Sequence, residues 1–532
     1  MRGQVMLTGR FRRYNHTMIE RRLKQHGVTV HKWFVPHADA LLEGTNPKPF
    51  ASPARDAAIP VIREEGLWRL MAGEPLEQVI WGAMTCPEDA EDASTALGEL
   101  RSLVHDRPSL NTWQRIRILI DRLGPDDVAL AATYVSQHID GWPLFDPGDG
   151  FQDGAPLLWS LGASVHSRVD QTLLGLPPNS WMRAIARGEQ DPRFELIRAC
   201  VCTAFAERIE AEDVLNNPHL AGLRALRVGP HMHAPSPEAV RGSKLELLKL
   251  HSGIIQEEHL RGWLDPGSPL RHLSLNTPWS LVVPPEVTAE RLDSLHIGAV
   301  LHARTLSSIA PLLRTARALS VEDARLEGGP EVKRLIDVLD RERLTHLDLS
   351  GVVVGRRGVE AMMSAPWGRL THLRASCSRL SRRAGMQFGL LAQLPELEWL
   401  DISDNALMWT GLRNLLAAEM PRLRHLNVNR CSLSPDLRWL DVLPEVQTLC
   451  ARNNNLHVAD VLATLAGRRL SVGLERLDLR DNPLGGAVDA LLDRRDLFPA
   501  LRVIGLGGYG ATLSRAEIDR LRAGFPGLQV VM

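Results

Sequence analysis

Four histidines stand in nearly the same setting. Leu-Arg-His-Leu surrounds His272 and His425, and Leu-Thr-His-Leu surrounds His346 and His372. Trp399 occupies the matching place in Leu-Glu-Trp-Leu, and Arg476 in Leu-Glu-Arg-Leu. Aligned imidazoles could ligate a metal or pass protons. Only His346 and His372 fall in adjacent copies, however, and no carboxylate–histidine spacing accompanies them. The histidines therefore read as a solvated polar position copied from one segment to the next, and no metal is assigned. An aromatic such as Trp399 on the same face is either an anchor for a protein partner or a residue packed on its neighbours. His346, His372, Trp399, His425 and Arg476 are the candidate protein-contact residues.

The six cysteines, Cys86, Cys200, Cys202, Cys377, Cys431 and Cys450, are too sparse for a disulfide framework. Cys200-Val-Cys202 lacks a second pair at zinc-ligand spacing. Cys86, Cys200 and Cys202 have no recognisable His–Asp arrangement beside them, so no nucleophilic site is assigned. No catalytic residue and no cofactor is expected.

The elements that must carry these residues repeat. From Leu223 onward one pattern recurs: LRALRV, LELLKL, LRHLSL, LDSLHI, ARALSV, LTHLDL, LTHLRA, LEWLDI, LRHLNV, VQTLCA, LERLDL and LRVIGL. Successive copies begin 22 to 28 residues apart, which is the leucine-rich-repeat range. Apolar residues at positions 1, 4 and 6 put one side of a parallel strand into a core and leave the intervening residues outward. Three positions after the third apolar residue stand Asn405, Cys431, Asn454 and Asn482, side chains that can hydrogen-bond the turn. Copies before Leu397 lack the asparagine, so less regular turns are expected there. Intervening stretches such as EVKRLIDVLD and GLRNLLAA have helical apolar spacing and are expected on the convex side.

Residues 76–215 read as a helical connector that also caps the first repeat. EDASTALGELRSLV, NTWQRIRILIDRL, DDVALAATYVSQHI, SWMRAIARG and RFELIRACVCTAFAERI all show amphipathic helical spacing. Segment 140–156 reads as a loop, and its aspartate spacing does not match an EF-hand.

Residues 1–75 parse differently. VMLTG reads as a buried parallel strand, and MIERRLKQHG as a helix closed at Gly27. VTVHKW, DALLEG and IPVI read as further strands, with SPARDAA and EEGLWRLM as helices. The result is a small parallel sheet covered on both faces. The motifs VMLTGRF, HG before VTV, AD-LLEG, AIPVI and Trp68 in EEGLWRL make this segment similar to a BRCT domain, most of all the copy at the end of bacterial NAD-dependent DNA ligases. No adenylation lysine motif or helix-hairpin-helix glycines accompany it, so ligase activity does not carry over. The resemblance implies recognition of a phosphorylated protein segment or of a DNA 5′-phosphate. It places Thr8 and Gly9 at the phosphate, with a lysine from near the second helix. Lys48 lies two residues from the aligned position, near Phe50, and Arg10, Arg12 and Arg13 could replace or extend its charge. In the bland reading, Thr8 and Gly9 only turn the chain.

The expected architecture is therefore α/β: a BRCT-like domain over 1–75, a helical connector over 76–215, and a leucine-rich-repeat horseshoe of about twelve repeats over 216–532. Net charge is −1, which gives no long-range field toward nucleic acid or membrane. Residues 1–74 carry twelve lysines and arginines against seven acids, a surplus of five positive charges. No signal-peptide pattern or run of ~18 apolar residues is present, so a reduced, soluble, cytoplasmic protein is expected. The expected function is that of a non-enzymatic scaffold, with a phosphorylated or other partner at the head and a second protein on the concave face. DNA ends or nicks at the basic head are the alternative.

Overall fold

The computed structural model describes residues 3–8, 16–33, 38–43 and a few positions between 61 and 76. It then covers 93–143, 175–202, 210–276, 283–321 and 326–531, apart from short gaps. The chain divides into two compact units, one within residues 1–147 and 165–254 and the other over 255–532.

In the first unit, β1 (Gly3–Thr8), β2 (Val28–His31), β3 (Ala40–Glu43) and β4 (Val61–Ile62) form a parallel sheet ordered β2-β1-β3-β4. The helix α1 (His16–Gln25) joins β1 to β2 and buries Ile19 and Leu23. Gly27 follows it at φ +78°, the left-handed conformation that stops a helix without a Cβ clash. Val5, Leu7, Ile19, Leu23, Ala40, Leu42 and Ile62 share one core. The parallel sheet and first helix expected of this segment are present. SPARDAA, Trp68 and Cys86 lie outside the described residues.

Four helices of the connector form as their spacing predicts: α2 (Ala93–His105), α3 (Leu110–Ile120), α4 (Pro125–Ile139) and α5 (Asn179–Ala186). The fifth does not. Pro192–Leu196 is a 3₁₀ turn, and β5 (Ala199–Cys202) is a strand paired in parallel with β6 (Ala225–Val228). Ile197, Cys200 and Cys202 sit at the three inward positions, each almost fully buried, so cysteine stands where the motif has leucine. A β7 strand (Leu247–Leu250) completes this run. The repeat ladder therefore begins ahead of residue 216. The helices pack on its first strand through Arg198. Its Nη2 donates to the Ser136 carbonyl and hydroxyl, both at 3.0 Å, and pairs with Asp140 at 2.8 Å.

The second unit holds eleven further parallel strands in sequence order. They are β8 (His272–Leu275), β9 (Ser294–Ile297), β10 (Ala318–Ser320), β11 (His346–Asp348), β12 (His372–Arg374), β13 (Trp399–Asp401), β14 (His425–Asn427), β15 (Thr448–Cys450), β16 (Arg476–Asp478), β17 (Val503–Gly505) and β18 (Gln529–Val531). The last lies beyond the twelve motifs. The helices α6 (Gly355–Met363), α7 (Arg382–Leu391) and α8 (Met408–Leu415) cover the outer side of three consecutive repeats.

Asparagines stitch the turns. Asn405 Oδ1 accepts from the Ser378 and Leu380 amides at 3.1 and 2.8 Å, while its Nδ2 donates to the carbonyls of Ala375, Ile402 and Ser403. Asn454 and Asn482 do the same two and three repeats on. One repeat before Asn405 the motif has Ser378, and its hydroxyl donates to the Leu349 carbonyl at 2.8 Å. That turn is regular although asparagine is missing from it. One residue before each ladder position the backbone is left-handed, at Gly351, Cys377, Asp404, Arg430, Asn453 and Asp481.

Candidate protein-contact face on the repeat strands

Parallel, in-register pairing turns a repeated sequence position into a spatial column. His346 lies opposite His372, His372 opposite Trp399, and Trp399 opposite His425, followed by Thr448 and Arg476. Neighbouring strands are about 4.8 Å apart, close to the thickness of a stacked aromatic pair. The rings stack accordingly. The His346 and His372 centroids are 4.3 Å apart with planes 12° from parallel. Trp399 stands 6.1 Å from His372 and 4.3 Å from His425, with planes 20° from parallel in both cases.

Trp399 is only 5% exposed. Of the two sequence readings of this residue, packing on its neighbours is the one observed, and the exposed anchor is corrected. The histidines and Arg476 are half-buried. His272 does not join the column. Ser294 and Ala318 occupy the intervening positions, and His272 Nδ1 lies 2.7 Å from the Ser294 hydroxyl.

Hydrogen bonds assign two of the tautomers. Thr345 Oγ1 donates its single proton to the Arg317 carbonyl at 3.0 Å, and Thr371 Oγ1 donates to the Thr345 carbonyl at 3.0 Å. Each hydroxyl can then only accept from the neighbouring imidazole, at 2.7 Å for His346 Nδ1 and 2.9 Å for His372 Nδ1. Nδ1 carries the proton in both rings, which leaves Nε2 as the acceptor of a neutral imidazole. Burial supports the neutral form. It pulls the pKa of His346 and of His425 down to about 4, with Arg476 and Arg424 adding to the effect at His425. His372, with an imidazole on one face and an indole on the other, falls to about 3, mainly through burial and then through repulsion from the other two histidines. Rings stacked this way keep their edges parallel and do not converge on a point. Among the described residues, no group of three or more His, Cys, Asp or Glu lies where it could hold a metal ion.

Two residues further along the strands runs a charged row that the histidine motif did not single out. Asp348 is fully buried, Arg374 Nη1 lies 3.4 Å from its Oδ2, and Arg374 Nε lies 3.5 Å from Asp401 Oδ2. Burial pushes the Asp348 pKa up against the pull of Arg374. The alternation Asp, Arg, Asp is visible at the fifth position of LTHLDL, LTHLRA and LEWLDI, and that was the signal available. Asp401 also accepts from the Ser403 hydroxyl at 2.7 Å, and Ser403 Oγ lies 3.0 Å from the Ser376 hydroxyl. The face thus combines a neutral stacked strip with a paired polar row.

The other candidates fall elsewhere. Thr8 ends β1, opposite Glu43, and is fully buried. Gly9, Arg10, Arg12, Arg13 and Lys48 lie outside the described residues. Cys200 is buried beside Cys202, whose contact and the burial itself raise its thiol pKa far above the usual range. Cys431, also buried, is pushed up to about 12. None of the five described cysteines forms a disulfide, and among them only Cys377 is exposed. Among the described residues, no helix is long and apolar enough to cross a membrane.

No protein-family model and no curated protein matches the chain. Solved structures similar to it include the leucine-rich-repeat protein LegL7 from Legionella pneumophila, at 17% identity and TM-score 0.35 over 45% of this chain and 82% of that one. The Rad7–Elc1 complex from yeast gives 14% identity and TM-score 0.38 over 66% and 87% of the respective chains. The TLR13–ssRNA13 complex gives 17% identity and TM-score 0.37 over 62% and 44%.

Proposed function

We propose that this protein is a non-enzymatic interaction scaffold, with the inner strand face of the repeats receiving a protein partner. The carrying observation is the continuous column from His346 to His425, whose rings are neutral, stacked and held by the backbone ladder. Pre-ordered aromatic edges cost little conformational entropy when a partner docks, which favours protein recognition on such a strip. A photo-crosslinking amino acid placed at His372 in the full-length chain tests this. A discrete protein adduct from that position, absent when the probe sits at the exposed Leu497, supports the reading; equal labelling from both positions sinks it.

For the N-terminal segment, the BRCT-like reading is supported by the parallel sheet ordered β2-β1-β3-β4 and by the helix ending at Gly27. Its partner is a phosphorylated protein segment in the first reading. The surplus of five positive charges in residues 1–74 favours DNA ends as the second. Because the Thr8 side chain is buried, phosphate recognition there depends on Gly9, Arg10 and Lys48. Full-length protein with Arg10→Ala or Lys48→Ala is compared with the parent on phosphopeptides and on nicked duplex carrying a 5′-phosphate. Retained phosphate-dependent binding in both variants removes this site. That the five described cysteines form no disulfide supports a reducing compartment, in keeping with a cytoplasmic location.

A further inference from the structure

Residues 349–395 contain seven arginines and one acidic residue, Glu360, in a chain whose net charge is −1. Two of the seven are neutralised: Arg374 lies between Asp348 and Asp401, and Arg356 pairs with Glu360 at 2.8 Å. Arg369 precedes β12, at the opposite end of the strands. The remaining four collect where strands β11 and β12 turn into their helices. Arg357 is in the first turn of α6, Arg379 is in the turn before α7, and Arg382 and Arg383 open α7. All four are exposed. The helices α6 and α7 pack side by side, and neither has an acidic residue in its first turn.

This placement works against folding. Helix N-termini carry positive partial charge, and cations there are unfavourable unless something else compensates. The arginines of the following turns are compensated. Arg430 pairs with Asp404, Arg438 with Asp436 at 2.6 Å, and Arg452 with Asp481. The two repeats at β11 and β12 thus leave an uncompensated cationic edge in the middle of an otherwise balanced solenoid.

A second feature adjoins it. Along α7, Arg382, Met386 and Leu390 follow one another at four-residue intervals and so share one helix face. Met386 is 42% and Leu390 71% exposed. One helix face therefore runs from guanidinium at its N-terminal end to bare aliphatic surface at the other. We infer that this edge is a second docking site, for an acidic protein segment that also carries leucine-like apolar side chains. Charge complementarity selects the carboxylates, and the aliphatic face selects the apolar residues. The aromatic side chain of α7, Phe388, is buried, so this helix lacks the base-stacking platform that single-stranded nucleic acid uses.

The probes are a fluorescein-labelled peptide alternating glutamates and leucines, a polyglutamate of equal charge, and an oligothymidylate of equal charge. Their binding to the full-length chain is followed by anisotropy at about 50 and about 200 mM salt. The glutamate–leucine peptide should bind best and weaken with salt. Arg382→Glu/Arg383→Glu should lower its affinity about tenfold or more, and Leu390→Ser about threefold, whereas Arg369→Glu should leave it unchanged. Every substituted residue is exposed, and unchanged thermal unfolding verifies that each variant is folded. Absence of peptide binding, tighter binding of the oligothymidylate, or unchanged affinity in either the arginine or the leucine variant would overturn the proposal.

Discussion

Acidification should destabilise the repeat unit through its histidine column, and the size of the effect follows from the pKa values. In the unfolded chain an imidazole takes up a proton as pH falls through about 6.5. In the folded chain His346 and His425 wait until about 4, and His372 until about 3. Between those values the unfolded state binds more protons, so stability falls as pH falls. At about pH 5 a shift of this size is worth about 2 kcal/mol per histidine relative to about pH 7.5. The rings are half-buried, so solvent screening reduces that to about 1 kcal/mol each, or about 3 kcal/mol for the column. Urea unfolding at the two pH values, followed by tryptophan fluorescence, measures the change. The comparison protein carries His346→Phe, His372→Phe and His425→Phe, which keeps flat stackable rings and removes the titrating nitrogens together with the Nδ1–H donors to Thr345 and Thr371. The parent should lose about 3 kcal/mol more than this variant on acidification. If both lose the same, the imidazoles are not held neutral and the stacking argument fails.

Replacing Asn405 with alanine strands two buried amides and three carbonyls that its side chain now satisfies, which should cost about 3 kcal/mol in the same urea assay. Gly389→Ala should cost about 2 kcal/mol or more, because the added Cβ would lie 1.9 Å from the Asn414 carbonyl oxygen, where α7 and α8 are in backbone contact. Among the described cysteines, native alkylation at neutral pH should mark Cys377 and leave Cys200, Cys202, Cys431 and Cys450 unmodified until denaturant is added, as read by peptide mass mapping.

What the sequence made legible was the periodic part. Apolar residues at positions 1, 4 and 6 of each copy located twelve strands because leucine fills most of those inward places. The strand at Ala199–Cys202 escaped notice because Cys200 and Cys202 fill the leucine places, and because its apolar spacing also fits one face of a helix. The regular turn at Ser378 escaped for a related reason: a hydroxyl does part of the work of asparagine, and the motif records only asparagine or cysteine. The histidine alignment was legible, yet its meaning depended on register. Sequence position marks His272, His346, His372 and His425 as equivalents, but only pairing between neighbouring strands shows that Trp399 bridges the gap between His372 and His425, and that His272 stands apart. The cationic edge is also written in the sequence as an excess of arginine. The Arg356–Glu360 pair is local, four residues apart on one helix, but the pairing of Arg374 and Arg430 is decided by side chains from neighbouring strands and turns, which no local reading supplies.

The column and the edge differ in the force each can exert, and that difference separates them experimentally. The column is neutral, and each inner ring is desolvated by its neighbours on both faces. His372, with His346 and His425 both near enough to repel its charged form, has a lower pKa than His346, where burial acts alone. A partner docking on that strip gains apolar contact and hydrogen bonds to ring edges, and salt should change its affinity little. The exposed arginines at the start of α7 act through charge in water, so any partner there should be released as ionic strength rises. A partner that survives high salt but is lost in the His346, His372 and His425 triple variant belongs to the column. One that salt removes and Arg382→Glu/Arg383→Glu abolishes belongs to the edge. A partner needing both would show each sensitivity in part, and its two losses would add, because the sets of residues share no side-chain contact through which to couple.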